Sequence, residues 1–337
     1  MRISLKKWIV VFIFVLPVIL LAFGKNKVQY HDFKWHFLQS KHFDVYFYPG
    51  AYDIAVFVAN EAESSYVALK TDFKYEITKR VKIILYKSHN DFQQTNVVDI
   101  YMPEGVGGVT ELYKNRVVVP FEGSYSQLRH VLHHELVHAV MNDMLYGGSV
   151  QSIVSGQVVP VPLWFSEGLA EYFSMRWDTR ADMIIRDATM SGYLPPIKYL
   201  SYYLAYQGGQ SVFRYIAEKY GHEKIGEILH KIKGSFRFEK AIKSALGIEL
   251  DELSEEWLKQ MRKEYWPDIA NRDEAGDIAR AITDHKKTKN YLNISPTLSP
   301  DGDKMVFLSD RDGKQSIYLM DIIENKIVKR LIRGNLL

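Results

Sequence analysis

His133-His134-Glu135-Leu136-Val137-His138 stands near the middle of the chain. His134 and His138 are four apart. On an α-helix that separation is about 400°, so the two imidazoles share one face, one turn apart. Two ring nitrogens so placed can reach one tetrahedral zinc ion at about 2.0–2.1 Å. Glu135 is rotated only about 60° from His138, which suits it to hold an attacking water rather than the metal. Leu136 and Val137 are apolar, as a helix buried on its other side requires. Gly123-Ser124-Tyr125-Ser126 offers N-caps just upstream.

Pro162-Leu163-Trp164-Phe165-Ser166-Glu167-Gly168-Leu169-Ala170-Glu171-Tyr172 opens a second helix. A zinc site with two histidines needs a third protein ligand and keeps a fourth place for water. Glu167 can supply that carboxylate. Glu171, one turn further on the same face, can accept a bond from a histidine ligand and fix its tautomer.

Around these two helices the pattern divides the chain. Phe43-Asp44-Val45-Tyr46-Phe47-Tyr48 and 80–86 read as strands, with an amphipathic helix over 51–69 between them. A short helix starts at Asn90. Residues 105–110 and 116–121 read as a further strand pair turning at Lys114-Asn115. Helices are expected over 127–144, 163–175, 209–220, 223–231, 236–246 and 250–264. The fold class is therefore α+β, a small mixed sheet with helices followed by an all-helical half that carries the zinc residues.

These motifs resemble the gluzincin metallopeptidases, in the peptidase MA-like branch related to aminopeptidase N. Their signature is His-Glu-x-x-His followed by Trp-x-x-Glu-Gly-x-Ala, which falls here on His134, Glu135, His138 and then Trp164, Glu167, Gly168 and Ala170. The resemblance, over about residues 30–266, implies a thermolysin-like architecture. It also implies one zinc ion held by His134, His138 and Glu167, with Glu135 as general base. Tyr206, in Tyr206-Gln207-Gly208-Gly209-Gln210, matches the position of a tyrosine that stabilises the oxyanion. Two departures stand out. The Gly-x-Met-Glu-Asn element that binds the substrate amino terminus in aminopeptidases is absent. Gly107-Gly108-Val109-Thr110-Glu111 stands in its region, and Gly107, Gly108 and Val109 are expected in an edge strand that aligns a peptide. The spacing from His138 to Glu167 is also longer, with 147–161 as an inserted loop.

The ends have a different character. Arg2, Lys6 and Lys7 precede an apolar run over 8–23, and Ala22 and Gly24 suit a cut after Gly24, so 1–24 reads as an export signal. Left uncut, it would serve as a membrane anchor. Residues 25–270 form the peptidase-like domain, α/β over 25–122 and helical over 123–270, and 271–289 reads as a polar linker. Over 290–337, Ser299-Pro300-Asp301-Gly302 and Ser309-Asp310-Arg311-Asp312-Gly313 alternate with short strands. That pattern resembles one blade of a TolB-like β-propeller, and one blade is expected to need neighbours.

Composition narrows the function. The chain has 337 residues, 47% hydrophobic and 25% charged, an ordinary globular balance. Basic residues number 43 against 40 acidic, so no basic field points to nucleic acid. Cysteine is absent, which excludes disulfides, thiolate ligands, a cysteine nucleophile and a lipoprotein anchor. The expectation is an exported, periplasmic or secreted zinc metallopeptidase acting on a peptide or protein substrate, as an endopeptidase rather than an aminopeptidase. The alternative is an exported interaction scaffold with a propeller and an idle peptidase-like domain.

Overall fold

The computed structural model describes residues 27–334 except 28, 99–101, 104, 113, 148–159, 271, 274 and 291. Residues 1–24, read from the sequence as an export signal, and most of the 147–161 loop lie outside them. The described residues form two compact units that divide between Trp266 and Pro267.

The first unit opens with β1 (His36–Gln39) and β2 (Phe43–Phe47), antiparallel with Leu38 opposite Val45. α1 (Tyr52–Phe73) is the crossover that a parallel pairing needs. It leads to β3 (Val81–Tyr86), where Ile83 lies opposite Val45. A single turn, α2 (His89–Phe92), follows. β4 (Val109–Thr110) and β5 (Arg116–Pro120) form an antiparallel hairpin, and β5 runs parallel to β3. The strand order is β1-β2-β3-β5-β4, so β4 is an edge. Side chains alternate across the sheet. Val45, Ile83, Val117 and Val119 face the main core, whereas Tyr86 and Val118 face a smaller cluster with Phe92 and Met102. Covering on both faces accounts for the unbroken Val117-Val118-Val119 run.

The helical half comprises α3 (Tyr125–Tyr146), α4 (Leu163–Met175), α5 (Thr179–Met190), α6 (Tyr203–Tyr220), α7 (Glu223–Ser235), α8 (Phe238–Leu246) and α9 (Leu250–Ala270). Four features depart from the sequence expectation. The strand expected over 105–110 is confined to Val109–Thr110, which leaves Gly107 and Gly108 outside the ladder, close against Val131 and Glu135 of α3. β1 was not expected; it is short and mostly exposed, so its pattern carries little alternation. α5 was not expected either. Its buried stripe is only Ala181, Ile185, Ala188 and Thr189, although the Asp178 carboxylate caps it by accepting from Arg180 and Ala181 N–H. α6 starts six residues before the expected 209, because Gly208 and Gly209 do not break it. They lie inside the helix as points of close packing.

The second unit contains α10 (Ala275–Ile278), α11 (His285–Thr288) and an antiparallel sheet of β6 (Asn293–Leu298), β7 (Lys304–Ser309), β8 (Ser316–Asp321) and β9 (Lys326–Ile332). Met305, Phe307, Tyr318 and Met320 make its small core. Residues 271–289 are not a free linker. They carry the two short helices, Ile282 packs on that core, and Arg280 Nη2 donates to Ile322 O at 2.8 Å. The Ser295-Pro296 pair lies within β6. Ser295 has φ +55°, and the register shifts between Ile294 and Thr297. Such a bulge on an edge strand accommodates proline without a missing ladder bond. Four strands equal one blade in size, and a single sheet does not make a propeller. No helix among the described residues is long and apolar enough to cross a membrane.

Candidate metal centre

α3 is fixed at both ends. Ser124 Oγ accepts from Gln127 N–H at 3.3 Å, and Gly147, at φ +67°, returns its N–H to Asp143 O at 2.8 Å. Leu132, Leu136, Ala139 and Val140 sit in the core. His130, His134 and His138 follow at four-residue intervals along another stripe. On α4, Trp164 and Phe165 pack with Phe213 and Phe238. With that face buried, Glu167 and Glu171 are turned toward the histidines.

Glu167 Oε2 lies 3.3 Å from Nε2 of His134 and 3.3 Å from Nε2 of His138, and these two nitrogens are 3.2 Å apart. Donors at 2.0–2.1 Å from a tetrahedral ion stand about 3.3–3.4 Å from one another. The triangle therefore has the dimensions of three zinc ligands, and the donor set is borderline nitrogen with carboxylate oxygen, which suits zinc. Glu171 lies one turn on, with Oε1 3.4 Å from His134 Nδ1 and Oε2 3.4 Å from Nε2 of His130. His134 thus has both ring nitrogens engaged. The sequence reading missed His130, although its place one turn before His134 was a visible signal. His133 points elsewhere; burial first, then Arg176, lowers its pKa to about 4 and keeps it neutral.

Burial opposes charge on all these groups, yet their mutual contacts prevail. Hydrogen bonds from His134 and His138 hold the Glu167 carboxyl well below the usual carboxylate range. Those from His130 and His134 do the same for Glu171. In turn the two carboxylates raise the His134 imidazole well above its ordinary value, against its burial. The metal-free cluster is a carboxylate-rich pocket holding protons where a cation fits.

Tyr206, in the first turn of α6, stacks on His134 with ring centroids 6.3 Å apart and 19° between planes. Burial, then the charges of Glu167, Glu135 and Glu171, push its pKa up to about 12, so its hydroxyl keeps its proton at neutral pH. Glu135 faces β4 rather than the donor triangle. Thr110 Oγ1 lies 2.6 Å from Glu135 Oε2, a partner the sequence reading did not assign. Val109 lies on this edge and Gly107 and Gly108 lead up to it, outside the strand; all three line a cleft of about 990 Å³ that also holds Glu135, His138 and Tyr206. The structure thus brings together every residue singled out from the sequence.

Comparison with protein families matches residues 61–263 to the peptidase MA superfamily. The chain belongs to the peptidase MA superfamily. The match covers α3, α4 and α6 together and makes this unit a metallopeptidase-like domain. It reaches the superfamily, not an aminopeptidase-N-related branch, and it does not extend to the second unit. A search of curated proteins returns no match.

Proposed function

We propose that the chain is a zinc-dependent metallopeptidase that hydrolyses peptide bonds, with His134, His138 and Glu167 as the ligands of one zinc ion. The observation that carries this reading is the donor triangle with edges of 3.2–3.3 Å. A zinc ion held there would supply the Lewis acidity that acidifies a water and polarises a carbonyl. Glu135 takes the proton of the attacking water and passes it to the leaving amine. The Tyr206 hydroxyl donates to the developing oxyanion. Glu171 fixes the His134 tautomer by accepting from Nδ1–H. The free edge of β4 offers N–H and C=O groups to an extended peptide running antiparallel to it.

Endopeptidase action fits better than aminopeptidase action. Glu111, the acidic residue of the 107–111 stretch, is engaged by Arg116 Nε at 2.5 Å and is not free to bind a substrate amino group. Export to the periplasm or medium, through 1–24, belongs to the same proposal. So does a role for 290–337 as one blade of a TolB-like propeller that binds a partner. The test is zinc analysis of the full chain combined with a casein and peptide-library assay on wild type and Glu135→Gln. Zinc-dependent cleavage by wild type and its loss in the variant support the reading. A zinc-loaded wild type that cleaves nothing defeats it.

A further inference from the structure

Glu135 is held from one side by a single strand. Thr110 Oγ1 is 2.6 Å from Glu135 Oε2 and 2.9 Å from Glu135 O. The hydroxyl has one proton to give. The carboxylate is the stronger acceptor and the closer one, so the proton goes to Oε2. Two residues back, just before β4 begins, Gly108 meets the same side chain. A Cβ there would fall 2.9 Å from Glu135 Cγ and 3.1 Å from Oε1. The glutamate stem is thus pressed against bare backbone while one carboxylate oxygen is tied. Among the described residues no hydrogen bond engages Oε1, which leaves that oxygen to accept a proton.

The strand is itself anchored. Asn115, at φ +53° in the β4–β5 turn, donates from Nδ2 to Ala139 O on α3 at 2.8 Å. Glu111 N–H closes the hairpin onto Arg116 O at 2.9 Å. β4 therefore keeps a fixed height over the helix turn that carries Glu135.

We infer that Thr110 is a positioning residue for Glu135, holding Oε2 on β4 so that Oε1 faces the reacting water. The inference rests on the peptidase reading above. It deepens that reading by linking substrate alignment to base alignment, since the strand that would pair with the peptide also orients the base.

The experiment uses the full zinc-loaded chain and a fluorogenic peptide selected by the library assay. Thr110→Val should lower kcat about 10- to 100-fold, the scale of a misplaced reacting group, with KM within about twofold and zinc content unchanged. Thr110→Ser, which keeps the hydroxyl, should restore most of kcat. In a Glu135→Gln background, Thr110→Val should cost little more, because its route of action is already cut. Equal losses in both backgrounds, or a Ser variant as slow as Val, overturn the inference. If Thr110→Val does not fold, Thr110→Ala replaces it. If wild type cleaves no peptide, the peptidase reading falls. The contact is then judged by a thermal-unfolding cycle of Thr110→Val and Glu135→Ala in the metal-free chain. Non-additive shifts support the Thr110–Glu135 link, and additive shifts overturn it.

Discussion

Gly168 on α4 and Gly209 on α6 meet backbone to backbone. A Cβ on Gly168 would fall 2.4 Å from the Gly209 carbonyl carbon, and one on Gly209 would fall 2.1 Å from Trp164 O. No side chain can yield at such a contact. Gly168→Ala must push the helices apart, at a cost of about 1–3 kcal/mol or more. Glu167 is the adjacent residue, so the displacement reaches the donor triangle. The expected outcome is a lowered melting temperature together with weaker zinc binding, read by calorimetry and chelator competition. A variant with wild-type stability and affinity would show that the crossing has slack.

Wild type equilibrated with zinc should hold about one ion per chain. His138→Ala and Glu167→Ala each remove one corner of the triangle and should lower that stoichiometry sharply. Elemental analysis after gel filtration reads the result. Full occupancy in both variants would place the metal elsewhere, with the group of His130, His134 and Glu171 as the place to look next.

Glu135→Gln should keep zinc and lose activity by about 10²–10⁴, the scale of a general base. The amide is close in shape to the carboxylate and still accepts from Thr110, so structure is preserved while proton acceptance is not. Retained activity would remove Glu135 from the mechanism.

Proton linkage gives a prediction with a definite sign. In the metal-free chain the carboxylates of Glu167 and Glu171 raise the His134 imidazole above its ordinary value of 6.5, against its burial. Its contribution to stability is complete below that pH and fades as pH rises toward the folded value. Glu167 and Glu171 are lowered from 4.5, so their contribution is present above that value and disappears in strong acid. Zinc must displace the His134 proton. Affinity should therefore fall from pH 8 to pH 6, with release of about one proton per ion near neutrality. Titration calorimetry in buffers of different ionisation enthalpy measures the release, and a buffer-independent heat would contradict it.

Residues 27–266 contain the whole donor triangle and the main core. Limited proteolysis beyond the end of α9 at Ala270 should leave a fragment that binds zinc and melts cooperatively. Loss of zinc on cleavage would make the second unit part of the centre.

The donor triangle was legible because helical geometry converts spacing into direction: the 3.6-residue period set His134 with His138 and Glu167 with Glu171, and the need of a two-histidine site for a third ligand joined the two pairs. Tyr206 was reached through family likeness alone, since nothing in its own neighbourhood separates it from Tyr203, which lines the same cleft. Thr110 stayed hidden. Its meaning depends on β4 passing within 2.6 Å of a helix 25 residues later, a distance no local pattern encodes. The start of α6 was placed too late, at 209, for the opposite reason. Local propensity marks glycine as a helix breaker, whereas the helix crossing requires it. In the second unit, the polar surface of 271–289 concealed the anchoring of Ile282 and Arg280.

The donor triangle draws two corners from α3 and one from α4. An ion held by all three would act as a cross-link between separate helices, shortening the range of motion open to each. α4 touches α6 at Gly168 and Gly209, so restraint imposed at Glu167 passes through that crossing to the turn bearing Tyr206. Loading the centre would thereby do two jobs at once, supplying the chemistry and stiffening the wall of the cleft opposite the β4 edge.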